Sequence, residues 1–199
     1  MAHIARVIRL QYRVDVMLTG RDNDSGTRLG TFFETGFGTT ATGGVDTYAF
    51  QYKFLVGATD AGTLASPAIN GYTAFDLGTG KAGYASGGSV KNVLTGTATG
   101  NSPNAHPYII LGYVGTGDTP GAAQQLTYNG AAISNNAVQN AAYTFWTYEH
   151  MYYKPGSPKA TIADAIALSI KNTYAASSGV LQGTMNCSRA SEGTVVNPL

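Results

Sequence analysis

A short turn at residues 21–28 gathers the side chains best suited to bind a negatively charged oxygen ligand. It reads Arg21-Asp22-Asn23-Asp24-Ser25-Gly26-Thr27-Arg28. Arg21 offers a planar fork of N–H donors that matches phosphate oxygens, and Ser25 and Thr27 offer hydroxyl groups. Gly26 lets the backbone approach a ligand closely. These residue types predict an oxyanion site.

The same residues have a second interpretation, which is an ordinary helix start. Ser, Thr and Asp are preferred N-cap residues, and most capped helix starts bind no ligand. Arg21 and the two acids Asp22 and Asp24 favour the oxyanion interpretation. A helix cap requires no arginine, whereas a charged ligand does.

The flanking sequence predicts the elements that position this turn. Alternating apolar residues indicate a strand over residues 14–19 that buries the face formed by Val14, Val16 and Leu18. A second apolar set recurs at helical spacing and predicts a helix over residues 25–37: Leu29, Phe32, Phe33 and Phe37. The free N–H groups and the positive dipole end of this helix would attract an anion.

A second glycine-rich helix start follows at residues 83–89, before Val90, Val93 and Leu94. Its residues Ser86, Gly87 and Gly88 form a candidate secondary anion site, because they would present further backbone N–H groups. A plain helix cap is the favoured interpretation of this segment.

The remaining patterns predict further strands and one long helix. Tyr48–Phe54 alternates like a strand, Tyr108–Val114 is typical of a fully buried strand, and Leu126–Gly130 indicates a short strand entering a turn. Tyr143–Tyr153 predicts an aromatic strand, for which burial on both faces is favoured over carbohydrate stacking. A helix is predicted over residues 158–176, with Ser157 as its cap and an apolar repeat at Ile162, Ile166, Ile170 and Tyr174.

Composition argues against several classes of function. Charged residues make up 12% of the 199-residue chain and the formal net charge is +1, so nothing indicates nucleic-acid binding. The single cysteine, Cys187, excludes an intrachain disulfide and is expected to be buried. The chain has no common catalytic motif and no metal-binding histidine spacing, so we expect neither an enzyme nor a cofactor. His150 is expected to be structural, because the adjacent Glu149 would point to the opposite face of a strand.

The run from Gly20 to Arg28 resembles the phosphate-binding turn of the substrate-binding proteins of phosphate ABC transporters. The resemblance continues, in order, through residues 83–88, 111–115, 126–130 and 143–150. It implies an α/β fold of the type II periplasmic-binding-protein class that lacks most of its first lobe. Residues 1–142 would form the complete second lobe, and residues 143–199 would supply the return strand and C-terminal helix of the other lobe.

The resemblance also implies a function and a set of ligand residues. Arg21, Ser25, Gly26 and Thr27 would bind phosphate, with Asp22 as the acceptor that prefers protonated phosphate to sulfate. The chain would be a non-catalytic phosphate-binding module, periplasmic or extracellular, although residues 1–10 do not resemble a signal peptide. Its expected partners are inorganic phosphate, a separate first-lobe chain, a membrane permease or other copies of itself.

A structural role is the alternative function. A secreted or cell-surface protein of this fold would expose the apolar strands of its incomplete core, and such strands favour association. The low charge of the chain fits this alternative as well. The anion site would then be vestigial.

Overall fold

The computed structural model describes residues 13–37, 50–75, 83–118, 121–173 and 179–199. These residues form a mixed α/β structure of small sheets and helices. Its strands are β1 (Asp15–Leu18), β2 (Gln51–Val56), β3 (Thr59–Asp60), β4 (Ala68–Ile69), β5 (Gly71–Phe75), β6 (Thr97–Ala98), β7 (Tyr108–Leu111), β8 (Cys187–Ser188) and β9 (Asn197–Pro198). Its helices are α1 (Gly26–Thr35), α2 (Gly87–Leu94), α3 (Asn135–Gln139) and α4 (Ala160–Asn172).

Parallel pairing of β1 with β7 organises the part of the fold that carries the turn. Val16 lies opposite Ile109 in this pair, and an isolated parallel bridge joins Arg21 to Tyr84 just beyond β1. A separate antiparallel sheet has the strand order β3-β2-β5. Strands β4 and β6 pair in parallel, and β8 and β9 pair antiparallel.

The main apolar core lies where β1, β2 and α2 meet. Its buried residues are Met17, Phe54, Ala61, Ile69, Tyr84, Val90 and Val93. Tyr84 links the core elements, because its hydroxyl accepts a hydrogen bond from the Phe54 N–H at 2.7 Å and donates one to the Phe54 carbonyl at 3.2 Å. The ring of Phe54 stacks on Tyr108 with a centroid distance of 6.1 Å.

The predicted strand at residues 14–19 is confirmed as β1, but its predicted buried face is wrong. Met17 and Thr19 are 1% exposed, whereas Val14 and Val16 are 50% and 53% exposed. Met17 packs into the core, and alternation therefore places the two valines on the opposite side of the strand. The prediction that β7 is fully buried is wrong for the same reason, since Ile109 lies opposite Val16 and is 56% exposed.

The helices predicted from residue 25 and from the glycine-rich segment 83–89 are confirmed as α1 and α2. The first ends at Gly36, whose positive φ of 69° gives the left-handed conformation that closes many helices. The predicted apolar stripe is only partly buried, because Phe32 is 1% exposed while Leu29 and Phe37 are exposed. The buried face of α1 instead carries Arg28 and Gly30 beside Phe32.

The predicted C-terminal helix is confirmed as α4, but its apolar repeat does not pack into a core of the described residues. It spans Ala160–Asn172 and contains no buried residue, with Ile162 60% exposed and Ile166 49% exposed. The residue at its N-cap is Lys159. Ser157 accepts two hydrogen bonds, from the Lys159 N–H to its hydroxyl and from the Ala160 N–H to its carbonyl. Tyr174, predicted on its apolar stripe, lies outside the described residues.

The predicted aromatic strand Tyr143–Tyr153 is wrong as part of a sheet. In the described part of the chain this segment has no ladder partner, and residues 149–153 are exposed. The strand predicted at Leu126 is likewise reduced to one bridge between Tyr128 and Ala131. The turn that follows it is confirmed, because Asn129 and Gly130 adopt φ values of 51° and 82°, as a two-residue hairpin turn requires.

Two smaller predictions have mixed outcomes. The strand predicted at Tyr48–Phe54 corresponds to β2, which begins at Gln51, while Tyr48 and Ala49 lie outside the described residues. Cys187 is buried as expected, at 2% exposed, and its thiol contacts the Val138 carbonyl. The division of the chain at residue 142 stays a prediction.

Candidate oxyanion site

Three chain segments converge at the carboxyl edge of the β1–β7 pair. One runs from Arg21 into α1, a second runs from Tyr84 into α2, and a third follows β7 to Asp118. The parallel bridge between Arg21 and Tyr84 aligns the first two, and contacts of Tyr113 with Gly20 and of Asp118 with Gly87 bring in the third. In open α/β structures ligands bind at this edge, where the helices begin.

Arg21 joins the starts of the two helices. Its Nε donates to the Tyr84 carbonyl at 3.1 Å and its Nη2 donates to the Ala85 carbonyl at 2.9 Å. Backbone bonds from Asp22 N–H to Tyr84 and from Tyr84 N–H to Gly20 fix the same junction. Among the described residues, the other N–H groups of the Arg21 guanidinium have no hydrogen-bond partner. The side chain is therefore held in place while these N–H groups remain available to donate to a ligand.

Gly83 is required at this junction. A Cβ placed there would lie 2.6 Å from the Arg21 carbonyl oxygen and would also collide with the Gly20 carbonyl. Both obstacles are backbone atoms, which cannot rotate away. The close approach of the two segments therefore depends on the absence of a side chain at residue 83.

Ser25 acts as the N-cap of α1. Its side chain accepts a hydrogen bond from the Arg28 N–H at 3.4 Å, and the residue is 4% exposed. Gly26 and Thr27 are exposed, and a Cβ placed at Gly26 would meet nothing within 4 Å. Within the described structure the N–H groups of these two residues have no acceptor, as expected in the first turn of a helix.

Arg28 is a member of this region whose role the sequence did not reveal. It is 1% exposed, and its Nη1 donates to the Arg21 carbonyl at 2.8 Å beneath the turn. Its guanidinium carbon lies 5.1 Å from the centre of the Phe32 ring. Burial lowers the pKa of Arg28, and electrostatic interaction with Tyr113 and Asp22 opposes that shift. A guanidinium remains protonated at neutral pH, so a positive charge underlies the turn.

The acids of the turn differ in position. Asp22 is half-buried and close enough to Arg28 to affect its ionisation, whereas Asn23 and Asp24 are exposed. Asp22 also shapes the turn, because its carbonyl accepts a hydrogen bond from the Ser25 N–H at 3.3 Å. The structure thus brings Arg21, Asp22, Ser25 and Arg28 together in one turn.

The secondary candidate site is a capped helix start with a carboxylate beside it. The Ser86 hydroxyl accepts a hydrogen bond from the Ser89 N–H at 3.1 Å, which agrees with the favoured cap interpretation. A Cβ placed at Gly87 would collide with the Asp118 carboxylate and lie 2.8 Å from its Cγ. The carboxylate of Asp118, which the sequence did not single out, lies against Gly87 at the start of α2, where its negative charge opposes an anionic ligand.

Neither described histidine belongs to this turn. His106 contacts Asp15 through Nδ1 at 3.3 Å, and His150 lies 3.5 Å from Glu192. Across the residues that the structure describes, no group of three or more potential ligands is placed to hold a metal ion. Within the same residues, no helix has the length and apolar character needed to cross a membrane.

Chemically, the turn offers exposed N–H groups, a hydroxyl at Thr27, an anchored guanidinium and a buried positive charge. These features suit a small oxyanion and include no nucleophile activated by a neighbouring base. Protein-family models, curated proteins and solved structures give no match to this chain, and its resemblance to phosphate-binding proteins therefore stays a prediction.

Proposed function

We propose that this chain is a non-catalytic oxyanion-binding module that binds inorganic phosphate at the start of α1, like the substrate-binding component of a phosphate ABC transporter. The observation that carries the proposal is the Arg21 fork, held by two carbonyls while its other N–H groups stay available. It precedes the exposed N–H groups of Gly26 and Thr27 by one short turn. An ordinary helix cap has no need of such an arginine.

The charge distribution supports an anionic ligand. Arg21 lies just before α1 and the buried Arg28 lies in its first turn, and the positive dipole end of this helix faces the turn. Asp22 and Asp24 oppose these charges, and this opposition favours a ligand that carries a proton. Asp22 would accept that proton in a hydrogen bond, which phosphate can donate and sulfate cannot.

The proposed setting follows from the same function. The module would be periplasmic or extracellular and would act with a membrane permease. A separate chain or a second copy would supply further donors, because a single turn supplies few of the bonds that a tight phosphate site needs. Each missing charge-assisted hydrogen bond lowers affinity by about 1.5–3 kcal/mol, so we expect weak binding by the isolated chain.

Isothermal titration calorimetry with inorganic phosphate tests the proposal. Arg21→Ala should abolish the binding heat, and Arg13→Ala is the matched control, since Arg13 is an exposed arginine at the opposite end of β1. Circular dichroism of both variants controls for folding. Absence of heat from the unmodified chain at millimolar phosphate would overturn the proposal.

A self-assembling structural protein is the second candidate function, and one specific observation favours it. Helix α4 leaves Ile162, Ile166, Leu168 and Ile170 between 43% and 60% exposed. Apolar helix faces are normally covered in a stable protein. Sedimentation over a range of protein concentrations tests this candidate, and a monomer at every concentration would contradict it.

A further inference from the structure

Beyond β1 the extended chain has one edge toward β7 and the other toward the start of α2. The Thr19 N–H donates to the Leu111 carbonyl at 2.8 Å, whereas the Asp22 N–H donates to the Tyr84 carbonyl at 3.0 Å. Successive residues of an extended chain direct their backbone groups to opposite edges, so the Arg21 N–H points to the edge that faces β7. Among the described residues, no backbone carbonyl accepts a hydrogen bond from this N–H.

The hydroxyl of Tyr113, which follows β7 in the chain, lies at that edge. A Cβ placed at Gly20 would collide with this hydroxyl, so the phenol lies against the residue directly before Arg21. Burial raises the pKa of Tyr113, and a hydrogen bond with Gln51 opposes that shift. The positive charge of Arg28, the Arg21 backbone and the Arg21 charge oppose it as well. One hydroxyl is therefore close to the Arg21 peptide and to both guanidinium groups of the turn.

Gln51, the first residue of β2, holds the Tyr113 hydroxyl from the interior. Gln51 is 1% exposed, and its Nε2 donates to the hydroxyl oxygen at 3.2 Å. Its Oε1 is buried and has no hydrogen-bond partner among the described residues. Burying an amide with one unpaired oxygen costs stability, and an apolar side chain would avoid that cost. The bond to Tyr113 is thus the interaction that this buried amide supplies.

We propose that Tyr113 is a positioning residue of the oxyanion site and that Gln51 acts through it. The Tyr113 hydroxyl faces the Arg21 N–H from the β7 edge, while Arg28 Nη1 donates to the Arg21 carbonyl at 2.8 Å. Together they fix the backbone that carries the Arg21 fork and leads into α1. Donors that are already fixed lose less conformational freedom when a ligand binds, so the hydroxyl strengthens binding without touching the anion. The inference rests on the proposed function, phosphate binding at the start of α1.

Tyr113→Phe tests the proposal, because it keeps the ring and removes only the hydroxyl. Titration of the full chain with inorganic phosphate, followed by ¹H–¹⁵N NMR, gives the dissociation constant from the Gly26 and Thr27 amides. We expect this constant to rise about 3- to 10-fold in Tyr113→Phe, the factor that corresponds to one hydrogen bond. The Arg21 amide should also exchange its hydrogen faster in this variant, while the amide of Phe54, which is 0% exposed in the core, keeps its exchange rate.

Two further variants complete the test. Tyr128→Phe is the matched control, because it removes a hydroxyl that donates to the Glu34 carbonyl at 3.2 Å in the last turn of the same helix. It should leave the phosphate affinity unchanged. Gln51→Met removes the buried amide and should weaken phosphate binding in the same direction as Tyr113→Phe. Combining these two substitutions should cause no further loss of affinity, because Gln51 acts through the hydroxyl.

The outcomes separate this inference from the function on which it rests. No response of the unmodified chain to phosphate would overturn the proposed function and this inference with it. Equal phosphate affinity in the unmodified chain and in Tyr113→Phe would keep the function and reject the positioning role. An equal loss of affinity in Tyr128→Phe would also reject that role, since a general loosening of α1 would then explain the effect. If Tyr113→Phe does not fold, unchanged phosphate affinity in Gln51→Met would reject it instead.

Discussion

Replacing Tyr84 with phenylalanine should destabilise the fold far more than the loss of one surface hydroxyl. The Tyr84 hydroxyl is bonded to both backbone groups of Phe54, at 2.7 Å to the N–H and 3.2 Å to the carbonyl. Phe54 is 0% exposed, so water cannot replace the lost bonds without opening the core. Burial also raises the pKa of Tyr84, which keeps the hydroxyl protonated and able to donate.

The size of the expected loss of stability follows from the Phe54 N–H and carbonyl, which both lose a hydrogen-bond partner in this variant. Each buried backbone group that loses its partner costs about 1–3 kcal/mol, so the two together should make Tyr84→Phe cost about 2–6 kcal/mol. In a chain of this size, 1 kcal/mol corresponds to about 2–4 °C in Tm, and the expected decrease is therefore roughly 4–24 °C.

Thermal denaturation followed by circular dichroism measures the effect. Tyr52→Phe is the matched control, because Tyr52 has a half-buried ring and its hydroxyl has no hydrogen bond to the described residues. That variant should stay within about 0.5 kcal/mol of the unmodified chain. Equal melting temperatures for the two variants would refute the role assigned to the Tyr84 hydroxyl.

Two further predictions concern charged groups. Arg189 Nη1 lies 2.6 Å from Glu34 Oε2, and the two side chains are 0% and 9% exposed. Arg189→Met would leave this buried carboxylate unpaired. The free energy of unfolding, measured by chemical denaturation, should therefore fall by about 3–5 kcal/mol. Lys53→Met, which breaks an ion pair about one-third exposed, should cost less than about 1 kcal/mol, and equal losses would contradict this reasoning. Hydrogen bonds, led by that from the Ser102 hydroxyl, lower the pKa of Asp15 below its ordinary value of 3.8. Since the folded-state pKa is depressed, this stabilisation is present above the unfolded pKa and is lost as pH falls through the folded value. The difference in Tm between the unmodified chain and Asp15→Asn should therefore be full at neutral pH and disappear in acid, and a pH-independent difference would refute it.

Local patterns in the sequence predicted where strands and helices occur better than they predicted which side of each is buried. Alternation of apolar residues over 14–18 identified β1, apolar residues at helical spacing identified α1, and a glycine-rich start identified α2. Alternation has the same period whichever side is buried, so it could not show that Met17, and not Val16, meets the core. Only contacts with distant residues decide that choice.

The sequence predicted which residues form the candidate site, but it did not predict the hydrogen bonds that join them to the rest of the fold. Arg21 and Ser25 were identified from residue type, and Ser25 does cap α1. The hydrogen bonds of Arg21 to Tyr84 and Ala85 join residues more than sixty positions apart, and no local pattern encodes them. The burial of Arg28 could not be predicted either, because arginine is rarely buried in proteins. The only indication in the sequence was that Arg28 lies close to the predicted start of α1.

Phosphate titration monitored by ¹H–¹⁵N NMR measures directly whether the start of α1 binds an oxyanion. We expect saturable shifts of the Gly26 and Thr27 amide resonances, because these two residues are exposed and their N–H groups have no acceptor among the described residues. The shifts should be absent in Arg21→Ala, retained in Arg13→Ala, and weaker with sulfate than with phosphate. Amides at the start of α1 that do not respond to millimolar phosphate, while the protein is folded, would contradict the claim that this turn binds an oxyanion.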